Sequence, residues 1–279
     1  MSTNPYMNFY DFSGKTILIT GGGGVLCSEM ARALFECGAN VAILDYSLPA
    51  AERTVSALAQ KPGSGKALAV QANVLQPETV QAAVERTLAE FGQIDGLING
   101  AGGNKPDATT GVDKSFFDLS VDALRWVFDL NLLGTIIPSQ IVGRHMAERK
   151  QGVILNISSM NSYRPLTRIP AYSASKAGAI NFTQWLSTHM AQEYSPLIRV
   201  NAIAPGFFIT EQNRFLMTDK ETGRPTERGQ KIQNHIPMGR LGCPEDLTGT
   251  VLWLMSPASA YVTGIIVPVD GGFSAYSGV

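Results

Sequence analysis

The sequence predicts an α/β chain built on a doubly wound, seven-stranded parallel sheet, and three observations lead there. Short apolar runs alternate with longer stretches of helical period along all 279 residues. The first apolar run is followed at once by four glycines, Gly21 to Gly24, and the second ends in an acid, Asp45. Other residues able to bear chemistry, Asn99 and Ser159 among them, also fall just after apolar runs. Apolar strands alternating with helices pair in parallel and are covered on both faces. Right-handed crossovers then give the strand order 3-2-1-4-5-6-7, with ligands at the carboxyl ends of the strands.

The elements follow in order. The β-branched run 15–20 reads as the first strand. After the glycines, Val25, Leu26, Met30, Ala33, Leu34 and Cys37 recur at helical spacing, giving a helix over 25–37. Strands are expected at 40–45, 67–72, 94–99, 152–157, 198–203 and 264–269. Helices are expected at 48–60, 77–91, 120–147, 171–194 and 244–256, with an irregular stretch near 211–235. Residues 103–119 and 206–243 are polar and broken by Gly and Pro, so they read as insertions on the ligand side. The expectation is one domain over 1–279 with a substrate lid inserted at about 206–243.

Strand, glycine turn and helix together form the Rossmann-type arrangement, which brings a pyrophosphate onto helix N-terminal amides. Gly21, Gly23, Gly24, Val25 and Leu26 are the candidates for that contact. Asp45 falls where a carboxylate accepts hydrogen bonds from both ribose hydroxyls, and it would repel a phosphate on that ribose. Tyr46, rather than an arginine, follows it. The expected cofactor is therefore NAD rather than NADP.

Tyr172 and Lys176 stand four residues apart, on one helix face, with Ser159 thirteen residues before the tyrosine. An ammonium beside a phenol favours the phenolate and so lowers its pKa. The expectation is a tyrosine that exchanges a proton with an alcohol or ketone near neutral pH. A surface pair on a helix is the plainer alternative for the spacing alone.

Composition removes other classes. The net charge is −1 and no basic stripe appears, so nucleic acid is not an expected partner. No run approaches 18 apolar residues, and the start lacks a signal layout, so no membrane is expected and the cytoplasm is. Three cysteines and three histidines are scattered without ligand spacing, so no metal is expected.

Over nearly its whole length the chain resembles the short-chain dehydrogenase/reductase family. The matching parts are Thr20-Gly21 through Cys27, Asn73-Val74, Asn99-Gly-Ala101-Gly102, Asn131, Ser159, Tyr172 with Lys176, Pro205-Gly206 with Thr210, and Asp270-Gly-Gly272. The resemblance implies Tyr172 as general acid/base and Ser159 as the group polarising the substrate oxygen. It implies Lys176 on the nicotinamide ribose, lowering the tyrosine pKa, and Asn131 holding a water that links Lys176 to solvent. Asn73, Val74, Asn99, Ala101 and Gly102 would line the adenosine side, with Pro205, Gly206 and Thr210 at the nicotinamide. Departures are Val25 and Cys27 at the family's second and third turn glycines, Asn73 for an adenine-contacting acid, and Gly100 for the second Asn of Asn-Asn-Ala-Gly.

A narrower resemblance is to a subgroup named for D-mannonate oxidoreductase (fructuronate reductase). It is carried by GAGGNKPDATT, NISSMNSYRPLTRIPAYSASKAGAINFTQWL and VPVDGGFSAYSGV. It implies sugar-acid chemistry, with related polyol or ketose dehydrogenases and a non-catalytic dinucleotide sensor as alternatives. Polar residues near the site, Asn104, Asn161, Ser162, Thr167, Gln212 and Asn213, suit a polyhydroxylated acid. Lys105, Arg164, Arg168 and Arg214 are the candidate cations for its carboxylate, Arg168 and Arg214 first. Apolar surplus on 120–147 and 171–194 suggests a subunit face, and the resemblance implies a homotetramer.

Overall fold

Seven parallel strands form one sheet in the order β3-β2-β1-β4-β5-β6-β7. The strands are β1 (Thr16–Thr20), β2 (Asn40–Asp45), β3 (Ala67–Gln71), β4 (Gly96–Asn99), β5 (Gly152–Ile157), β6 (Ile198–Pro205) and β7 (Ile266–Val269). The computed structural model describes residues 6–61, 63, 65–209, 217–219 and 222–278. Every residue of β1, β4 and β6 is buried, as a sheet covered on both faces requires. One core cluster, with Ile17, Ile19, Met30, Leu34 and Val251, covers one face. A second, with Leu18, Leu97, Val142, Met146 and Leu186, covers the other. Burying each such side chain contributes about 1.5–3 kcal/mol.

The helices are α1 (Val25–Glu36), α2 (Leu48–Leu58), α3 (Pro77–Phe91), α4 (Val121–Phe128), α5 (Gly134–Arg149), α6 (Pro170–His189), α7 (Glu227–Asn234) and α8 (Thr248–Met255). Three expectations are corrected. The single helix over 120–147 is two, because a π turn over Asp129–Leu133 breaks it. The helix expected over 171–194 ends at His189 and runs on as a π turn over Met190–Tyr194. The segment 244–256 begins as a 3-10 turn, Pro244–Leu247, before α8. β6 continues to Pro205, two residues beyond its expected end, because pairing with β7 reaches Val269.

Strand register sets the site. Thr20 of β1 lies beside Leu44 of β2 and Asn99 of β4, and Asn99 lies beside Asn156 of β5. The turns after β1, β2, β4 and β5 therefore open on the same edge. The C-terminal tail folds back on this edge. Phe273 packs edge-on against Phe207 at 5.2 Å, and Arg164 Nε donates to Ser274 O at 3.2 Å. Within 206–243, Phe208 and Gly242 pair as a short parallel bridge, and α7 lies between them in sequence.

Candidate active site

The site begins at the turn between β1 and α1. Gly21 takes a left-handed φ of +64°, and a Cβ there would lie 2.8 Å from the Ala101 Cα. Only glycine lets the β1 turn touch the β4 turn so closely. Gly23 N donates to Asp45 Oδ2 at 3.0 Å, and Ser47 N donates to Asp45 Oδ1 at 2.9 Å. Asp45 is thereby fixed at the cleft, with lone pairs left for hydroxyl donors. Gly24 caps α1 with no side-chain hydrogen bond, and Gly24 and Val25 are exposed. Leu26 turns inward, packed against the core. An uncapped helix start presenting backbone N–H groups to a cleft is a fitting seat for a phosphate.

The two departures from the family pattern here are one feature. A Cβ at Gly100 would fall on the Cys27 sulfur, and 2.9 Å from Thr20 O. The volume missing at residue 100 is the volume the cysteine fills. Burial pushes the Cys27 thiol up to about 12, so it acts as a small apolar filler and not as a nucleophile.

On the adenosine side, Asn73 is half-buried and its Oδ1 accepts from Leu75 N at 3.1 Å, leaving its amide hydrogens unused by any described partner. Val74 is buried beside Gly134. Asn99 corrects the expectation. Its side chain turns into the core, where Nδ2 donates to Ser139 Oγ and Asn156 Oδ1, both at 2.8 Å. Asn156 Nδ2 donates onward to Thr183 Oγ1 at 2.9 Å. This buried chain ties β4, β5, α5 and α6 together, so Asn99 braces the cleft floor and does not line it.

Tyr172 and Lys176 share a face of α6, with Lys176 Nζ 5.8 Å from the centre of the phenol ring. Ser159 follows β5 by two residues, in extended backbone at the start of a 3-10 turn, and its hydroxyl hydrogen-bonds the Tyr172 phenol. Lys176 is 4% exposed and its Nζ donates to Ile157 O at 2.7 Å. A buried ammonium has three donors, and the one bond leaves two for a ligand. Burial pushes Lys176 down to about 8. The tyrosine departs from expectation. Burial raises its pKa above the ordinary value, and the Ser159 hydrogen bond only partly opposes this.

Asn131 is fully buried in the π turn. Its Nδ2 donates to Gly103 O at 2.7 Å and Val127 O at 2.8 Å, and its Oδ1 accepts from Gly103 N at 3.1 Å. It therefore clamps the chain leaving β4. A Cβ at Gly102 would sit 2.8 Å from Asn131 Oδ1 and 3.1 Å from Lys176 Nζ, so the β4 exit, α6 and the π turn meet at this point. Ala101 N reaches Thr20 Oγ1 at 3.3 Å, which joins the same edge.

Among the substrate candidates, Asn161 is buried, its N–H donates to Ser159 Oγ at 3.3 Å, and its Oδ1 has no partner among the described residues. Asn104 is exposed and its Nδ2 donates to Thr109 Oγ1 at 2.8 Å. Arg168 is exposed on the loop before α6, and its carbonyl accepts from Thr110 N at 2.9 Å. It is near enough to Arg228 of α7 that burial and then Arg168 lower the Arg228 pKa. Thr210, Gln212, Asn213 and Arg214 lie outside the described residues. Pro205 ends β6, and Gly206 lies so close to Asp270 that a Cβ would meet its Cα at 2.6 Å. Ser158 and Arg228 escaped the sequence reading, whereas Ser162 was among its polar candidates. Ser158 and Ser162, with hydroxyls 2.6 Å apart, hold the Ser159 loop, and Arg228 faces no described acid. The signal for the serines was present in NISSMNS.

The sequence model of the family described as enoyl-(acyl carrier protein) reductase matches residues 25–274. The chain belongs to the short-chain dehydrogenase/reductase family. It is an oxidoreductase. An uncharacterised oxidoreductase, UxuB, of Bacillus subtilis (strain 168) is 46% identical, over 96% of this chain and 98% of its own. A crystal structure of a Haemophilus influenzae protein proposed to be a D-mannonate oxidoreductase, with bound NAD, superposes with a TM-score of 0.88. It is 45% identical and covers 96% of this chain and 98% of that one. The 2-dehydro-3-deoxy-D-gluconate 5-dehydrogenase of Formosa agariphila is 36% identical, over 98% of this chain and 97% of its own.

A short-chain dehydrogenase/reductase needs a dinucleotide seat, and the residues present fit one. The uncapped α1 start suits the diphosphate, fixed Asp45 suits ribose hydroxyls, and the unspent Lys176 donors suit a second ribose. Among the described residues, no group of His, Cys, Asp and Glu could hold a metal ion. No described helix is long and apolar enough to cross a membrane.

Proposed function

We propose that this protein moves a hydride between NAD(H) and a secondary alcohol or ketone of a sugar acid, with D-mannonate and D-fructuronate as the favoured pair. The observation that carries the reading is the polar, cationic rim around Tyr172. Asn161 is buried beside Ser159, with its Oδ1 unpartnered among the described residues, and Arg168 stands four residues before Tyr172 and near Arg228, where polar substrate groups would find partners. The Haemophilus influenzae relative, by its name and its NAD, supports the same reading.

Bound NAD supplies the acceptor or donor of the hydride. In oxidation, Tyr172 Oη as the phenolate, which the Ser159 hydrogen bond favours, takes the hydroxyl proton and becomes the phenol as the carbon–hydrogen bond gives its hydride away. In reduction, the same phenol returns a proton to the new alkoxide oxygen. Ser159 Oγ orients that oxygen through its bond with the phenol. Lys176 holds a ribose, and Asn131 keeps Gly103 and the β4 exit in place, with a water link to Lys176 as its further role. Asp45 selects NAD over NADP. Residues 206–243 cover the substrate, with Thr210 on the carboxamide and Arg214 beside the substrate. The assembly is a homotetramer of single-domain chains in the cytoplasm.

The test is a panel of aldonates, uronates and polyols, each with NAD and NADP, read by absorbance of the reduced nicotinamide. D-mannonate with NAD is expected to give the highest kcat/KM. Highest efficiency with NADP would mean that Asp45 does not select the cofactor. A second reading, gluconate-type dehydrogenation, draws on the Formosa agariphila relative. It wins if keto-deoxygluconates outrank mannonate.

A further inference from the structure

We propose that Lys105, seated on the indole of Trp126, is the residue that reads the substrate carboxylate. The inference rests on the sugar-acid reading above and names the group that makes it specific.

Lys105 Nζ stands 4.1 Å from the centre of the Trp126 ring. Attraction to the indole face holds the ammonium in place without neutralising it. Among the described residues, no carboxylate forms an ion pair with it; Asp107, two positions on, feels its charge but is bound by Lys114 at 2.7 Å. Lys105 is half-buried, whereas Arg164 and Arg168 are exposed.

Its place relative to the chemistry follows from the chain. Gly102 faces the Asn131 amide and the Lys176 ammonium closely enough that a Cβ there would meet both. Three residues further on, Lys105 lies at most about 11 Å from that point by backbone reach. The segment between is fixed at both ends. Asn131 clamps Gly103, while the Lys105 carbonyl accepts from Thr109 Oγ1 at 2.8 Å and Ala108 N at 3.1 Å. The indole beneath the ammonium packs on the same small cluster, Ala108, Ala123, Val127 and Ala171, that supports Tyr172. A charged group and the acid/base phenol are thus mounted on one rigid base. A chain of several carbons between carboxylate and reacting alcohol suits such a separation.

The other cations serve less well. Arg164 Nε is tied to Ser274 O, and Arg168 sits near the like-charged Arg228. Lys176 is buried against Ile157 O. An ammonium already ordered by an aromatic face loses little freedom when an anion arrives.

The test compares D-mannonate with its uncharged amide, D-mannonamide, in the full-length protein with NAD. Wild type is expected to prefer the acid. Lys105→Met, which keeps the stem over the indole, should raise KM for the acid by about tenfold or more with kcat little changed, as loss of a charge-assisted hydrogen bond made equally in ground and transition states does. The amide should be unaffected, Lys105→Gln should behave alike, and Lys105→Arg should regain most of the loss. NAD affinity and melting temperature should match wild type in all three. Equal losses on acid and amide, no loss on either, or a wild type indifferent to the charge would overturn the proposal. Failure of wild type on every sugar acid would instead defeat the functional reading beneath it.

Discussion

Tyr172 is held between opposed influences. Burial raises its pKa, while the Ser159 hydroxyl stabilises the phenolate. Lys176, expected from spacing to be the main lowering influence, spends one donor on Ile157 O and is itself pushed down to about 8 by burial. The spacing of Tyr172, Lys176 and Ser159 was legible in sequence. The balance of their charges was not, because desolvation depends on what the fold stacks around them. Removal of the phenol oxygen in Tyr172→Phe should lower turnover by about two to four orders of magnitude and leave NAD affinity nearly intact. Single-turnover rates and a binding titration decide this, and near-normal turnover would refute the role. Lys176 makes a second prediction, in the protein without cofactor. Below pH 8 its ammonium is charged in folded and unfolded chains alike, and the burial cost is carried in full. Between pH 8 and the ordinary 10.5 the folded chain has released a proton that the unfolded chain keeps, so stability from this group rises with pH. Lys176→Met carries no such charge. Its melting temperature relative to wild type should therefore be highest near pH 7 and decline toward pH 10. A difference independent of pH would show that burial does not lower the Lys176 pKa on folding.

At the scale of elements, the β1–α1 and β4 turns are built as one unit. Gly21 approaches Ala101, and Cys27 fills the space above Gly100. Cys27 and Gly100 were each visible in sequence as an isolated departure. Their coupling was not, because residues far apart in sequence become neighbours only through the β1–β4 pairing. The same reasoning separates what was read well from what was not. Buried parallel strands announce themselves as continuous apolar runs, so all seven fell near their expected places. The π turn over Asp129–Leu133 has no local signature, since it is fixed by Asn131 reaching across to Gly103. Lys105 meets Trp126 only through the folding of the 103–119 insertion, so that pair was also hidden. The coupled turns make a testable pair. Gly100→Ala alone should lower the melting temperature and weaken NAD binding, because overpacking costs about 1–3 kcal/mol. Adding Cys27→Gly should recover much of both losses, giving a coupling that distant sites lack. Strictly additive effects in the double-mutant cycle would mean that the two positions adjust independently.

At the scale of the molecule, the outer face of α6 carries apolar area that the two core clusters do not absorb. Trp185 is 57% exposed, yet its indole stacks on His189 at 4.7 Å and lies near-parallel to Phe182 at 6.3 Å. His189 in turn meets Tyr194 edge-on at 5.7 Å, and Leu197 is exposed just beyond. The rings form a continuous ladder along the helix and into the π turn that ends it. Contiguous apolar surface rimmed by polar residues marks an interaction site more often than it marks bare surface. Aromatic residues are also enriched where interface energy concentrates. The same helix carries Tyr172 and Lys176 on its inner face, so assembly through the outer face would stiffen the segment that bears the proposed proton-transfer pair. Trp185→Glu places a charge in the centre of this ladder without disturbing the buried side of α6. Sedimentation velocity should show wild type as an oligomer and the variant as a smaller species, with far-UV and near-UV dichroism unchanged. Trp185→Phe, which keeps a ring at the position, should assemble as wild type does. The smaller species should also turn over more slowly, because α6 loses its outer support. If Trp185→Glu sediments with wild type, the ladder is not the contact between subunits, and the rigidity of α6 comes from its packing within the chain, on β6, on α4 and on the turn after β5.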